Sequence, residues 1–163
     1  MKKKIVTMLL IAIIFMTSIV NVSAYTIEDK IISYGGNYTT AFSNVKATND
    51  GGYVAVGYTT STNILGIEKN GDMDAIIVKY AKDGNMEWQK NYSGNKMAYF
   101  LDVIPTNDDG YVAVGYTMST NVKEIEQNAL LVKYDKNGTI EWQKNYSGNG
   151  RDQFSGVTQT SQG

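Results

Sequence analysis

The spacing of apolar and polar positions changes along the chain, and each pattern predicts a different element. Residues 5–20 are an uncharged, largely apolar run behind Lys2, Lys3 and Lys4. Beyond them come short stretches rich in Val, Tyr, Ile and Ala, bounded by Asp, Asn and Gly, the pattern of strands joined by tight turns. They predict strands at 41–48, 53–59, 75–80 and 86–92, and again at 99–106, 111–117, 129–134 and 140–146. In the 75–80 strand Ile76, Val78 and Tyr80 fall on one face and Ala75 and Ile77 on the other. Apolar side chains on both faces predict a strand covered on both sides, inside a stack of sheets. Outside the leader no stretch sustains a 3.6-residue apolar period, and the one helical suggestion is a single turn at Ile125, Glu126 and Gln127.

The pattern is a repeat. IIVKYAKDGNMEWQKNYSGN, starting at Ile76, returns as LLVKYDKNGTIEWQKNYSGN, starting at Leu130. Tyr34, Gly36, Asn37, Phe42, Val45, Thr48, Asn49 and Asp50 recur 58 residues later as Tyr92, Gly94, Asn95, Phe100, Val103, Thr106, Asn107 and Asp108. GYVAVGYT follows in both units. A third start comes 54 residues further on, at Tyr146, Gly148, Asn149, Phe154, Val157 and Thr160. The expected division is a leader at 1–24, a lead-in at 25–33, a first repeat at 34–91, a second at 92–145 and the start of a third at 146–163. The turn sequences Asp50-Gly51-Gly52 and Asp109-Gly110 supply the positive backbone angles that tight hairpins need. Lys82-Asp83-Gly84-Asn85 and Asp135-Lys136-Asn137-Gly138 predict hairpins between third and fourth strands. The second-to-third connections, 60–73 and 118–128, differ in length and account for the unequal repeats. Loops that vary over a fixed framework are where binding surfaces sit, so Asn63, Glu68, Asp72, Asn121, Glu124 and Glu126 are the candidate ligand-loop residues.

Composition narrows the function. Three lysines, an apolar run and Val22-Ser23-Ala24 fit a secretory signal peptide cut after Ala24. The run is shorter than the roughly 20 residues that span a bilayer comfortably. Losing the three leader lysines takes the net charge from −1 to −4 and leaves no basic block, which argues against a nucleic-acid partner. With no Cys there is neither a disulfide framework nor a lipid-anchor cysteine.

Four strands per unit of about fifty residues, a Gly-Tyr-Val-x-Val-Gly strand and a Lys-Tyr-Asp-x-x-Gly-x-x-x-Trp hairpin resemble the blade repeats of secreted bacterial cell-surface β-propeller proteins. The resemblance covers nearly all of the chain beyond the leader. It implies an all-β fold of four-stranded antiparallel blades, about two and a half of them, an incomplete propeller at the surface of a bacterium. The hairpin is also similar to the blade motif of quinoprotein-type propellers, with Asp135, Gly138 and Trp142 in one unit and Gly84 and Trp88 in the other. The spacing from Asp to Gly is one residue short, and the earlier unit has its acid at Asp83. In that family the Trp packs between blades, so the resemblance implies structural anchors at Trp88, Trp142, Gly84, Gly138, Tyr80 and Tyr134, and gives quinone chemistry no support.

Each chemical motif has a plainer reading beside it. Asp135, Asn137 and Glu141 could offer oxygens to Ca²⁺, but they lack the EF-hand's third ligand before the glycine, and an Asx-Gly turn explains them. No cofactor is expected. Trp88 and Trp142 could stack on sugars, yet recurrence in each unit fits a buried anchor, and Trp142→Ala is expected to cost roughly 3 to 5 kcal/mol. The chain has no His and no Cys, and its Ser residues lie in no Gly-x-Ser-x-Gly frame, so no general base or nucleophile stands out. The expectation is a non-catalytic module for adhesion or for protein or glycan binding, a fragment of a longer surface protein. The alternative is part of a secreted glycosidase or quinoprotein-type enzyme whose active site lies outside this chain. A blade buries both faces, and an open face of about 500 Å² at about 25 cal/mol/Å² forfeits roughly 12 kcal/mol. Further blades, from a longer chain or from copies assembled into a ring, are therefore expected as partners.

Overall fold

The computed structural model describes residues 32–94, 96–120 and 125–161. The expected leader and residues 25–31 of the lead-in lie outside the described residues, as do Asn121 and Glu124.

The fold is all-β. Strands β1 (Thr40–Ala47), β2 (Tyr53–Thr59), β3 (Asp74–Tyr80) and β4 (Met86–Tyr92) form one antiparallel sheet in the order 1-2-3-4. Strands β5 (Met97–Pro105), β6 (Tyr111–Thr120), β7 (Ile125–Tyr134) and β8 (Ile140–Tyr146) form a second sheet of the same order. These are two propeller-type blades, meandering from one edge strand to the other. Their registers coincide: Tyr53 pairs with Tyr80 and Ala55 with Val78 in the first, Tyr111 with Tyr134 and Ala113 with Val132 in the second. Each also has one extra residue in its first strand, at Ser43 and Leu101, which turns Asn44 and Asp102 to matching positions.

Alternation sorts each strand into two faces. Val54 and Val56 of β2 and Ala75 and Ile77 of β3 face the second sheet, where they meet Phe100, Val103, Tyr111, Ala113, Leu130, Val132 and Tyr134. This seam is the main core. The opposite face of the first sheet carries a smaller cluster, Ala55, Val78 and Tyr80, with Tyr34, the first residue of the first repeat, packed on it. Strand β3 is buried at every position, as its two-sided apolar pattern predicts.

Two expectations need correction. The connection 118–128 is largely strand, because the β6–β7 ladder runs on to Thr120 opposite Ile125. Ile125, Glu126 and Gln127 accordingly form no helical turn. The difference from the first blade is glycine: 60–73 contains Gly66, with φ of +77°, and Gly71, whereas 116–128 has none to interrupt the ladder. The first loop folds back on itself instead. Ile64 and Ile67 are buried, and the buried Asp74 carboxylate accepts the N–H groups of Asn70 and Gly71, the Asn91 amide and the Ser93 hydroxyl.

Candidate functional site

The seam and the two ends of the blades hold the chemistry. At the turn end each blade closes around a lysine. Lys79 of β3, with its side chain only 2% exposed, donates to Asp50 at 2.8 Å and to the Tyr80 carbonyl at 3.1 Å, and pairs with Glu87 at 3.0 Å. Lys133 of β7 repeats this with Asp108 at 2.9 Å, Glu141 at 3.2 Å and the Tyr134 carbonyl at 3.2 Å. The hydroxyls of Thr48 and Thr106 donate to the same aspartates, as do the N–H groups of Gly52 and Gly110.

A side chain at Gly52 would run into the Tyr80 carbonyl oxygen and lie 2.7 Å from the Lys79 ammonium. The glycine is therefore needed for the lysine as well as for the turn. Hydrogen bonds from Lys79, then from Thr48 and Gly52, hold the Asp50 carboxyl well below the usual carboxylate range. For Asp108 the Thr106 hydroxyl contributes most, followed by Lys133 and Gly110. Burial alone would lower the Lys79 ammonium's pKa, but its bonds to Asp50 and Glu87 leave it raised.

Between the blades at this end lies a cleft of about 450 Å³, lined by Asp50, Lys79, Glu87, Asp109, Tyr111 and Lys136 among others. Its paired carboxylates, Asp50 and Glu87, share one ammonium. The one ammonium balances one of the two carboxylate charges and, with Thr48 and Gly52, holds the Asp50 carboxyl low.

Trp88 crosses the seam. Its indole N–H donates to the Lys136 carbonyl at 3.0 Å, its ring meets Tyr111 edge-on at 5.6 Å, and a side chain at Gly138 would strike it at 2.8 Å. Gly138 has φ of +79° and Gly84 has φ of +78°, each in the turn preceding the fourth strand. Trp142, the counterpart of Trp88, is 40% exposed on the outer face of the second sheet. The expectation of a buried aromatic fails there because no turn like that of Gly138 lies over it among the described residues. Of the two tryptophans, Trp88 is the one whose truncation carries the larger cost. Tyr80 and Tyr134 are buried; the Tyr134 hydroxyl has no hydrogen-bond partner among the described residues, and burial pushes its pKa up.

At the opposite, loop end, three tyrosines that the sequence reading missed form a stack. Tyr58 lies on Tyr99 at 4.7 Å between ring centroids, and Tyr99 on Tyr116 at 5.5 Å and 7°. All three are half-buried and carry ring surface from one blade to the next. Tyr58 and Tyr116 are repeat equivalents, whereas Tyr99 stands where the first repeat has Ala41, so repeat matching concealed the stack.

The predicted loop residues divide. Asn63 is exposed and its side-chain oxygen accepts the Asn37 N–H at 2.7 Å. Glu68 and Asp72 are exposed in the same loop, where the Glu68 carbonyl accepts from Asn91. Glu126 is an exposed strand residue opposite Ser119, not a loop residue. The calcium candidates do not converge: Asp135 accepts the backbone N–H groups of Asn137 and Thr139, Asn137 is exposed, and Glu141 is held by Lys133. The Thr139 and Asn137 contacts keep the Asp135 carboxyl below its ordinary range.

No protein-family model matches the chain. No curated protein matches it either.

Proposed function

We propose that this chain is a non-catalytic extracellular binding module built from propeller-type repeats of the bacterial cell-surface kind, and that it engages a protein or glycan through its loop end. The observation that carries this reading is the tyrosine stack of Tyr58, Tyr99 and Tyr116, beside the first blade's loop. Stacked rings give a large, stiff contact surface at low entropic cost. The repeated carboxylates, in contrast, close on lysines of their own blade and serve the fold. The signal-like leader supports secretion.

The test is a glycan array together with a panel of immobilised extracellular proteins, followed by variants of whichever contact is found. Tyr116→Ser and the loop pair Asn63→Ala with Glu68→Ala should each weaken binding about tenfold, a loss of about 1.4 kcal/mol. Asp109→Ala at the opposite end should leave it unchanged. Binding that ignored the loop-end changes and fell with Asp109→Ala would place the contact in the turn-end cleft instead.

A further inference from the structure

The outer face of the second sheet is partly covered by the segment that follows β8. Residues 151–161 lie across it as β5 lies across the first sheet. Parallel bridges join Met73 to Met97 and Gln127 to Arg151, and the Ala98 and Asp152 N–H groups donate to the Met73 and Gln127 carbonyls at 2.8 and 3.0 Å. Phe154 donates its N–H to Gly115 at 3.1 Å and packs edge-on against Tyr146 at 5.5 Å, while Val157 donates to Asp102 at 3.1 Å. By repeat position these two residues are Phe100 and Val103, which are 0% exposed in the complete seam. Phe154 and Val157 are only half-buried, since no strand pairs with their segment among the described residues. Beside them remains a space of about 530 Å³ lined by Ile104, Val112, Leu131 and Trp142 among others.

On the far face of the first sheet the same two side chains have no sheet in front of them among the described residues: Phe42 is 41% exposed and Val45 59%. Tyr34 packs over the cluster behind them, in the way Tyr92 packs on Phe100. The first sheet's free face is thus the repeat equivalent of the side that the second sheet turns into the seam. The second sheet's free face is equivalent to the side that receives it.

We propose that the two free faces are the halves of one head-to-tail interface between copies of this chain. In it, Phe42 and Val45 of one copy enter the sockets that Phe154 and Val157 fill in the other. Residues 151–161 then act as an internal plug, and Trp142 of the receiving copy comes under the incoming copy's Gly84 turn as Trp88 lies under Gly138. Because the two surfaces differ, the contact is heterologous and propagates to a ring or a filament. Competition from the plug reduces the apparent affinity to the intrinsic value multiplied by the fraction of time the sockets are open.

Sedimentation velocity of the full chain over a concentration series tests this, with far-UV circular dichroism verifying the fold of each variant. Phe154→Ala with Val157→Ala should shift association to at least about tenfold lower concentration. Adding Phe42→Ala and Val45→Ala should abolish the gain. A plug-free chain that stays monomeric at concentrations where the wild type is monomeric would overturn the proposal, as would association that survives loss of Phe42 and Val45. A readout free of substitutions is amide exchange of the wild type. Residues 151–161 should exchange faster as concentration rises; concentration-independent protection would mean that the segment is the permanent occupant of its sockets, and would also overturn the proposal.

Discussion

At the scale of single residues, the two lysines explain positions that otherwise look like turn chemistry or catalysis. Lys79 is buried, whereas its partners Asp50 and Glu87 remain about half exposed. Removing the lysine leaves no carboxylate stranded out of water, so Lys79→Ala should cost about 1.5 to 3 kcal/mol, the range of charged hydrogen bonds lost. Asp50→Asn should cost under about 1 kcal/mol, because Glu87 and the Tyr80 carbonyl still hold the ammonium and the exposed pair is screened. Urea denaturation of both variants checks the order.

The same contacts set a pH dependence. Asp50 and Asp108 are held below their unfolded pKa, so their contribution is complete above about pH 4 and is lost as the pH falls through their folded values. Midpoints measured from pH 7 down to pH 2 should fall below about pH 4. The fall should be shallower in Asp50→Asn with Asp108→Asn, and an unchanged slope would contradict the assignment. None of this could be read in the sequence beyond a recurrent Lys, Asp and Glu. The sequence spacing, 29 residues from Asp50 to Lys79, says nothing about contact until the strand register is known.

At the scale of elements, the strands were legible because their chemistry is local. The second and fourth strands of the first blade, and the fourth of the second, fall where alternation and Asx-Gly turns place them. The β6–β7 hairpin was misread as a loop because its polar Ser, Thr, Asn and Gln residues resemble loop composition, while the absence of glycine, which lets the ladder continue, is a weaker cue. Trp88 and Trp142 show the limit of reading by repeat. Identical sequence contexts give different burial, since burial is set by what lies across the seam. Trp88→Ala should cost about 2 to 4 kcal/mol, through lost packing on Gly138 and Tyr111 and the lost bond to Lys136. Trp142→Ala should cost about 1 kcal/mol or less. Guanidinium melts of the two variants separate these values, and equal losses would contradict the asymmetry.

At the scale of the whole molecule, two blades share one buried seam and, among the described residues, present two unlike outer faces, with the variable loop and the tyrosine stack together at one end. The repeat announced this architecture, because a unit with apolar residues on both faces must be covered on both. The occupant of each face was not legible. It depends on pairing between distant segments such as Gln127 with Arg151, and on Phe154 reaching Gly115.

The central claim is that the first seam is closed by Trp88 while its counterpart around Trp142 is open. Acrylamide quenching of dilute Trp142→Phe and Trp88→Phe variants, each left with one indole, tests it most directly. Trp142 should be quenched several times more efficiently than Trp88 and should emit at longer wavelength. Equal quenching, or a more accessible Trp88, would contradict it.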